Sequence, residues 1–137
     1  MAVSKDFELN GRKFSFGTIP AMEAIDVEVS VAKVIGEPLF AAFTADSDAA
    51  ESKEALGAAA IGLMLSKMDA KELKATIEKV FAYVNVDGSK VIVDMHFTGK
   101  NKELWLVFIQ ALRFNFSDFL PESLLTSLKE KTIATSK

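Results

Sequence analysis

"FELNGRKFSF", residues 7–16, sets an Asn-Gly pair between two runs of alternating apolar and polar residues. A two-residue type I′ turn needs positive φ at both central positions, which Asn and Gly adopt most readily, so the stretch reads as a β-hairpin. With Asn10-Gly11 at the turn, Leu9 faces Arg12 and Phe7 faces Phe14, and Phe7, Leu9, Phe14 and Phe16 share one face of the ribbon. A face of that kind must be covered by other elements of the chain.

"YVNVDGSKVIVDMHF", residues 83–97, repeats the logic. Asp87-Gly88 supplies the turn, and Val84, Val86, Val91, Val93, Met95 and Phe97 alternate onto one face, so a second hairpin reaching Phe97 is expected. The pattern leaves open whether the two hairpins join edge to edge.

Between them the apolar period changes from two to that of a helix. Pro20 suits an opening helical turn, and Met22, Ile25, Val29 and Ala32 recur at helical spacing until Gly36 and Pro38, which predicts a helix over residues 20–35. "EPLFAAF", residues 37–43, reads as a short helix or turn. "TADSDAAESKEA" reads as a polar loop, with residues 44–52 the most mobile, running into a helix over 52–67. That helix carries Gly57, Ala58, Ala59, Ala60 and Gly62; each internal Gly costs about 1 kcal/mol relative to Ala, and the small surface suits a close helix contact. Asp69 with Glu72 makes a capping-box start for the next helix, whose Leu73, Ile77, Val80 and Phe81 form one stripe, with Lys71, Glu72, Lys74, Glu78 and Lys79 toward solvent.

In "ELWLVFIQALRFNFSDF", residues 103–119, a helix over 102–115 places Leu104, Phe108, Ala111 and Leu112 on one stripe and Trp105, Ile109, Leu112 and Phe116 on an adjoining one. Leu106 falls among the polar residues Glu103, Gln110 and Arg113. As the central helix of the domain it would bury most of these aromatics. Leu106 and the Phe114, Phe116, Phe119 knuckle are where apolar surface remains for a partner.

The fold class that follows is α+β: a helix-rich single domain with two short β-hairpins forming a small antiparallel sheet and helices on one side. Residues 1–129 are expected to form that domain and residues 130–137 a flexible tail. The chain has 137 residues, half of them apolar, enough for a core without staples. With 16 basic against 19 acidic residues and no basic cluster, nucleic acid is not an expected partner. The chain contains no Cys, which removes disulfides and thiolate chemistry and fits a reducing cytoplasm. The N-terminus lacks a secretory h-region, and the most apolar run, residues 55–65, falls short of the roughly 20 residues of a bilayer span.

No catalytic pattern emerges. His96 is the only imidazole and, in a strand, shares a face with Asp94, but a zinc site needs at least three protein ligands, so a surface or hydrogen-bonded strand His is the reading. Gly-x-Ser-x-Gly, Gly-x-Gly-x-x-Gly and Walker frames are absent from the sequence. The Asp46, Asp48 and Glu51 carboxylates fall in the polar loop, where solvation is the ordinary fate. No metal, no cofactor and no enzymatic activity are expected.

"HFTGKNKELWLVFIQALRFNFSDFLPESLL", residues 96–125, resembles the C-terminal signature of tail assembly chaperones from long-tailed bacteriophages and prophages: Phe97 and Gly99 after a strand, Glu103-Leu104-Trp105 opening a helix, and Ala111, Leu112, Asn115, Phe116, Asp118 and Phe119 ending it. The opening hairpin and "PAMEAIDVEVSVAKVIGEPLFAAF" are similar to the same family. The resemblance implies a non-enzymatic protein of the host cell cytoplasm, not found in the mature virion. Such a protein binds the tape measure protein, keeps its apolar helices soluble and helps recruit tail tube subunits; many family members have a frameshifted longer form. On that reading Trp105, Leu106, Phe114, Phe116 and Phe119 are the partner-binding candidates, and Phe97, Gly99, Glu103, Leu104, Leu112, Asn115 and Asp118 the structural motif. Apolar helix surfaces also pair with themselves, so homo-oligomers are compatible. The competing readings are a structural tail component of completion or connector type retained in the virion and, third, a small enzyme built around His96.

Overall fold

The computed structural model describes residues 5–44 and 50–117. Asp46, Asp48, Asp118, Phe119 and the 130–137 tail lie outside them, as does most of the 44–52 segment. Strands β1 (Lys5–Leu9) and β2 (Arg12–Phe16) are followed by helices α1 (Ala21–Ile35), α2 (Glu37–Thr44), α3 (Ala50–Lys67) and α4 (Ala70–Phe81). Strands β3 (Val84–Val86) and β4 (Ser89–Lys90) then lead into α5 (Val93–Phe97) and α6 (Asn101–Phe116). The class is α+β, as expected.

Both hairpin turns form where the Asn-Gly and Asp-Gly pairs stand, with φ of 50° at Asn10, 81° at Gly11, 49° at Asp87 and 85° at Gly88. Leu9 pairs with Arg12 and Phe7 with Phe14. The hairpins do join edge to edge: β2 pairs antiparallel with β3, Phe14 opposite Val86 and Phe16 opposite Val84, giving one four-stranded sheet in the order β1-β2-β3-β4. Lys13 N–H donates to the Asp87 carboxylate at 3.0 Å and Asp87 N–H to the Lys13 carbonyl at 2.7 Å, so the second turn is tied to the first hairpin. One face of the sheet buries Phe14, Phe16, Val84 and Val86 in the core, and the other carries the exposed Asp6, Glu8, Lys13 and Asn85.

The second hairpin does not reach Phe97. In its register Val93 would lie opposite Ala82 and Asp94 opposite Phe81, the end of α4, so the chain beyond Ile92 has no strand to bond. It coils instead into α5, which brings Phe97 into the core 5.9 Å from Phe14 and 5.4 Å from Phe81 between ring centroids, while Met95 is left exposed.

The small surface of α3 does allow close approach at one point. A Cβ on Gly57 would come within 2.9 Å of the Ile109 side chain of α6, whereas Gly62 has nothing near it. At α4 the Asp69 side chain accepts the Glu72 N–H at 2.8 Å, completing one half of the expected box, and Glu72 turns to Lys33 of α1 at 3.0 Å.

Helix α1 is apolar on more than one side, and its rotation differs from the expected one. Val27, Val31 and Ile35 enter the core, while Met22, Ile25 and Val29 remain exposed by 76%, 48% and 58%. Asp26 and Lys33 reach α4 through Lys79 at 3.2 Å and Glu72 at 3.0 Å, and the Tyr83 hydroxyl meets Glu23, which together mark the side of α1 that faces its neighbours. Exposed ion pairs contribute about 1 kcal/mol at most, so burial of the β-branched stripe sets the rotation and the charges follow it.

Candidate partner-binding surface

Phe97, Gly99 and Glu103 of the signature converge on the joint between the first hairpin, the turn after α5 and helix α6. Arg12, on the apolar side of the hairpin by its pairing with Leu9, lays its guanidinium 5.2 Å from the Phe14 ring centroid and 5.3 Å from that of Phe97. From there Nη1 donates to the His96 carbonyl at 2.8 Å and Nη2 to the Glu103 carboxylate at 2.7 Å. That hydrogen bond holds the Glu103 carboxyl below its usual pKa. Gly99 takes φ of 76° as Lys100 N–H closes on the Phe97 carbonyl at 2.8 Å, a turn that favours glycine.

At the other end of α6, Asn115 Oδ1 accepts the Ile19 N–H at 2.8 Å while Nδ2 donates to the carbonyls of Ala111 at 3.1 Å and Gly17 at 3.4 Å. Asn115 thereby ties α6 to the link between β2 and α1. Leu112 is fully buried. Phe97, Gly99, Glu103, Leu112 and Asn115 all make their described contacts within the fold, and Leu104, half-buried, stands beside a groove described below.

The partner-binding candidates do not gather into one exposed patch among the described residues. Trp105 is half-buried and meets Phe108 edge-on at 5.8 Å. Phe114 is half-buried 6.2 Å from Phe16, whereas Phe116 is buried 5.5 Å from Phe40 on another side of the helix. Leu106 is half-buried rather than exposed, and among the described residues the core cluster does not include it. The large exposed apolar side chains of the described residues are elsewhere: Met22, Ile25 and Val29 on α1, Leu65 on α3, and Ile92 and Met95 around α5.

Ile92 borders an open groove of about 600 Å³ between α4 and the segment from β4 into α5. Ile77, Phe81, Val91, Val93 and Leu104 make its floor and walls, and Lys74, Glu78, Lys90 and Asp94 its charged rim. The early end of β4 creates this groove, because a strand continuing to Phe97 would fill the space beside α4. Sequence reasoning missed it by carrying that strand too far. It also passed over Arg12, although the register inferred from Asn10-Gly11 already set this cation on the apolar face of the hairpin.

His96 lies in α5, where Asp94 two positions away does not share its face. Its Nδ1 accepts the Ile92 N–H at 2.9 Å, a local cap for the short helix. No three His, Asp or Glu side chains among the described residues are placed to hold a metal ion, and no described helix is long and apolar enough to cross a membrane.

A family model described as "Phage tail assembly chaperone protein, TAC" matches residues 10–128. Comparisons with curated proteins and with solved structures gave no match.

Proposed function

The chain belongs to the phage tail assembly chaperone family, and from that premise we propose that it binds the tape measure protein and keeps its apolar helices soluble while tail tube subunits are recruited. On this reading it acts without catalysis, in the host cytoplasm, and leaves before the virion is complete. A frameshifted longer form, where one is made, supplies the contact to the tube protein.

The observation that carries the reading is the groove beside Ile92, which has an apolar floor with a charged rim, together with Ile92 and Met95 around α5, both more than half exposed. Capture of an amphipathic helix calls for that combination, an apolar surface to remove the client's stripe from water and charges to hold its edges.

Co-expression with the tape measure protein of the same source tests it. A soluble complex that survives purification supports the chaperone reading. An insoluble tape measure protein beside well-folded chaperone, with the chain found by mass spectrometry in purified particles at structural stoichiometry, replaces it with a virion component.

A further inference from the structure

We propose that the groove between α4 and the β4–α5 segment seats one amphipathic helix of the client, and that the edge of this helix carries an acidic and a basic residue one turn apart, set against Lys74 and Glu78. The inference rests on the chaperone reading and gives it a location and a client chemistry.

The charges of α4 divide into two sets. Glu72 and Lys79 face α1 and pair there with Lys33 and Asp26. Lys74 and Glu78 lie on the opposite edge of the helix, at the groove, and neither forms an ion pair or a side-chain hydrogen bond among the described residues. They are four residues apart with the cation nearer the helix N-terminus, the weaker order for pairing along one helix, so both remain available to a partner. Lys90, on β4, and Asp94, on α5, add a cation and an anion to the far wall. The rim therefore holds two cations and two anions, and a client helix bearing one sign of charge would meet as much repulsion as attraction. A helix with an acid and a base one turn apart on its edge meets attraction at both α4 positions.

The shape favours a helix over the alternatives. An added strand needs a free ladder, and β4 offers two residues before the chain turns away. A small polar ligand needs inward-facing polar groups, whereas the floor here is apolar and the charges stand at the rim.

The test uses the full chain co-expressed with its own tape measure protein, comparing wild type, Ile92→Asp, the charge-swapped Lys74→Glu/Glu78→Lys pair, and Met22→Asp on α1 as a control. Ile92 and Met22 are 55% and 76% exposed, so these changes leave folding intact, which thermal melting verifies. The expected result is binding weakened at least about tenfold by Ile92→Asp, weakened less by the charge swap, and little altered by Met22→Asp. Wild-type binding unaffected by both groove variants overturns the groove while leaving the chaperone reading in place. Loss with Met22→Asp alone overturns it in favour of α1. Absence of any wild-type binding removes both readings together.

Discussion

Replacing Asn115 by Ala tests the view that the signature at the end of α6 is an architectural joint. The substitution removes the acceptor for Ile19 N–H and the donor to the Ala111 carbonyl, held at 2.8 Å and 3.1 Å. A part-buried N–H left without a partner costs about 1–3 kcal/mol, and loss of the second bond adds about 1 kcal/mol. Ala is the better helix former by about 0.5 kcal/mol. The net expectation is a loss of about 2 kcal/mol, or about 6–10 °C in Tm for a domain of this size. Urea unfolding followed by circular dichroism should show a lower midpoint with an unchanged m value. Amide hydrogen exchange at Ile19 should accelerate at the same time, because its N–H loses the partner that closed it. A stability change below about 0.5 kcal/mol with Ile19 still protected would refute the argument and leave Asn115 free for a role at a partner interface.

Trp105→Ala should cost about 2–3 kcal/mol, less than the loss for a fully buried Trp, since the indole is half-buried against Phe108; unchanged unfolding with lost tape measure binding would make Trp105 a contact instead. Leu106→Glu should change stability by no more than about 1 kcal/mol, because Leu106 stands apart from the core cluster, and a larger loss in denaturant unfolding would show that it is packed. Glu103→Gln should lower Tm at neutral pH. The Arg12 hydrogen bond depresses the folded-state pKa of Glu103, so the wild-type advantage is fully present above the unfolded carboxyl value of 4.5 and fades as pH falls through the lower folded value. A Tm difference that stays constant to the most acidic pH would contradict this assignment.

The two hairpin turns and the Asp69 cap were legible because each is settled within a few residues, by positive φ at Asn-Gly and Asp-Gly or by one side chain closing on a nearby N–H. The length of the second hairpin shows a conflict that was also present in the sequence. A turn at Asp87-Gly88 pairs Phe97 with Glu78, yet the stripe through Phe81 requires Glu78 to be helical. Both expectations cannot hold, and the helix prevails because Leu73, Val80 and Phe81 enter the core along one face of α4.

The family signature was readable as a pattern, but the roles of its members were not. Glu103 and Asn115 meet partners 91 and 96 residues away in the chain, at Arg12 and Ile19, and no local spacing announces such pairs. The binding candidates on α6 were drawn from its apolar excess, and that excess goes largely inward because α6 contacts α2, α4, α5 and the sheet.

Periodicity, turn chemistry and capping therefore determined the α+β class, helices α1, α3, α4 and α6 and the first hairpin from the sequence alone, since their energetics are local. Tertiary structure decided the edge-to-edge joining of the hairpins, the turn of residues 93–97 into a helix, and which stripe of α1 is buried. In α1 either apolar stripe satisfies helical periodicity. Only neighbours brought together by the fold determine that Val27, Val31 and Ile35 leave water while Met22, Ile25 and Val29 stay in it.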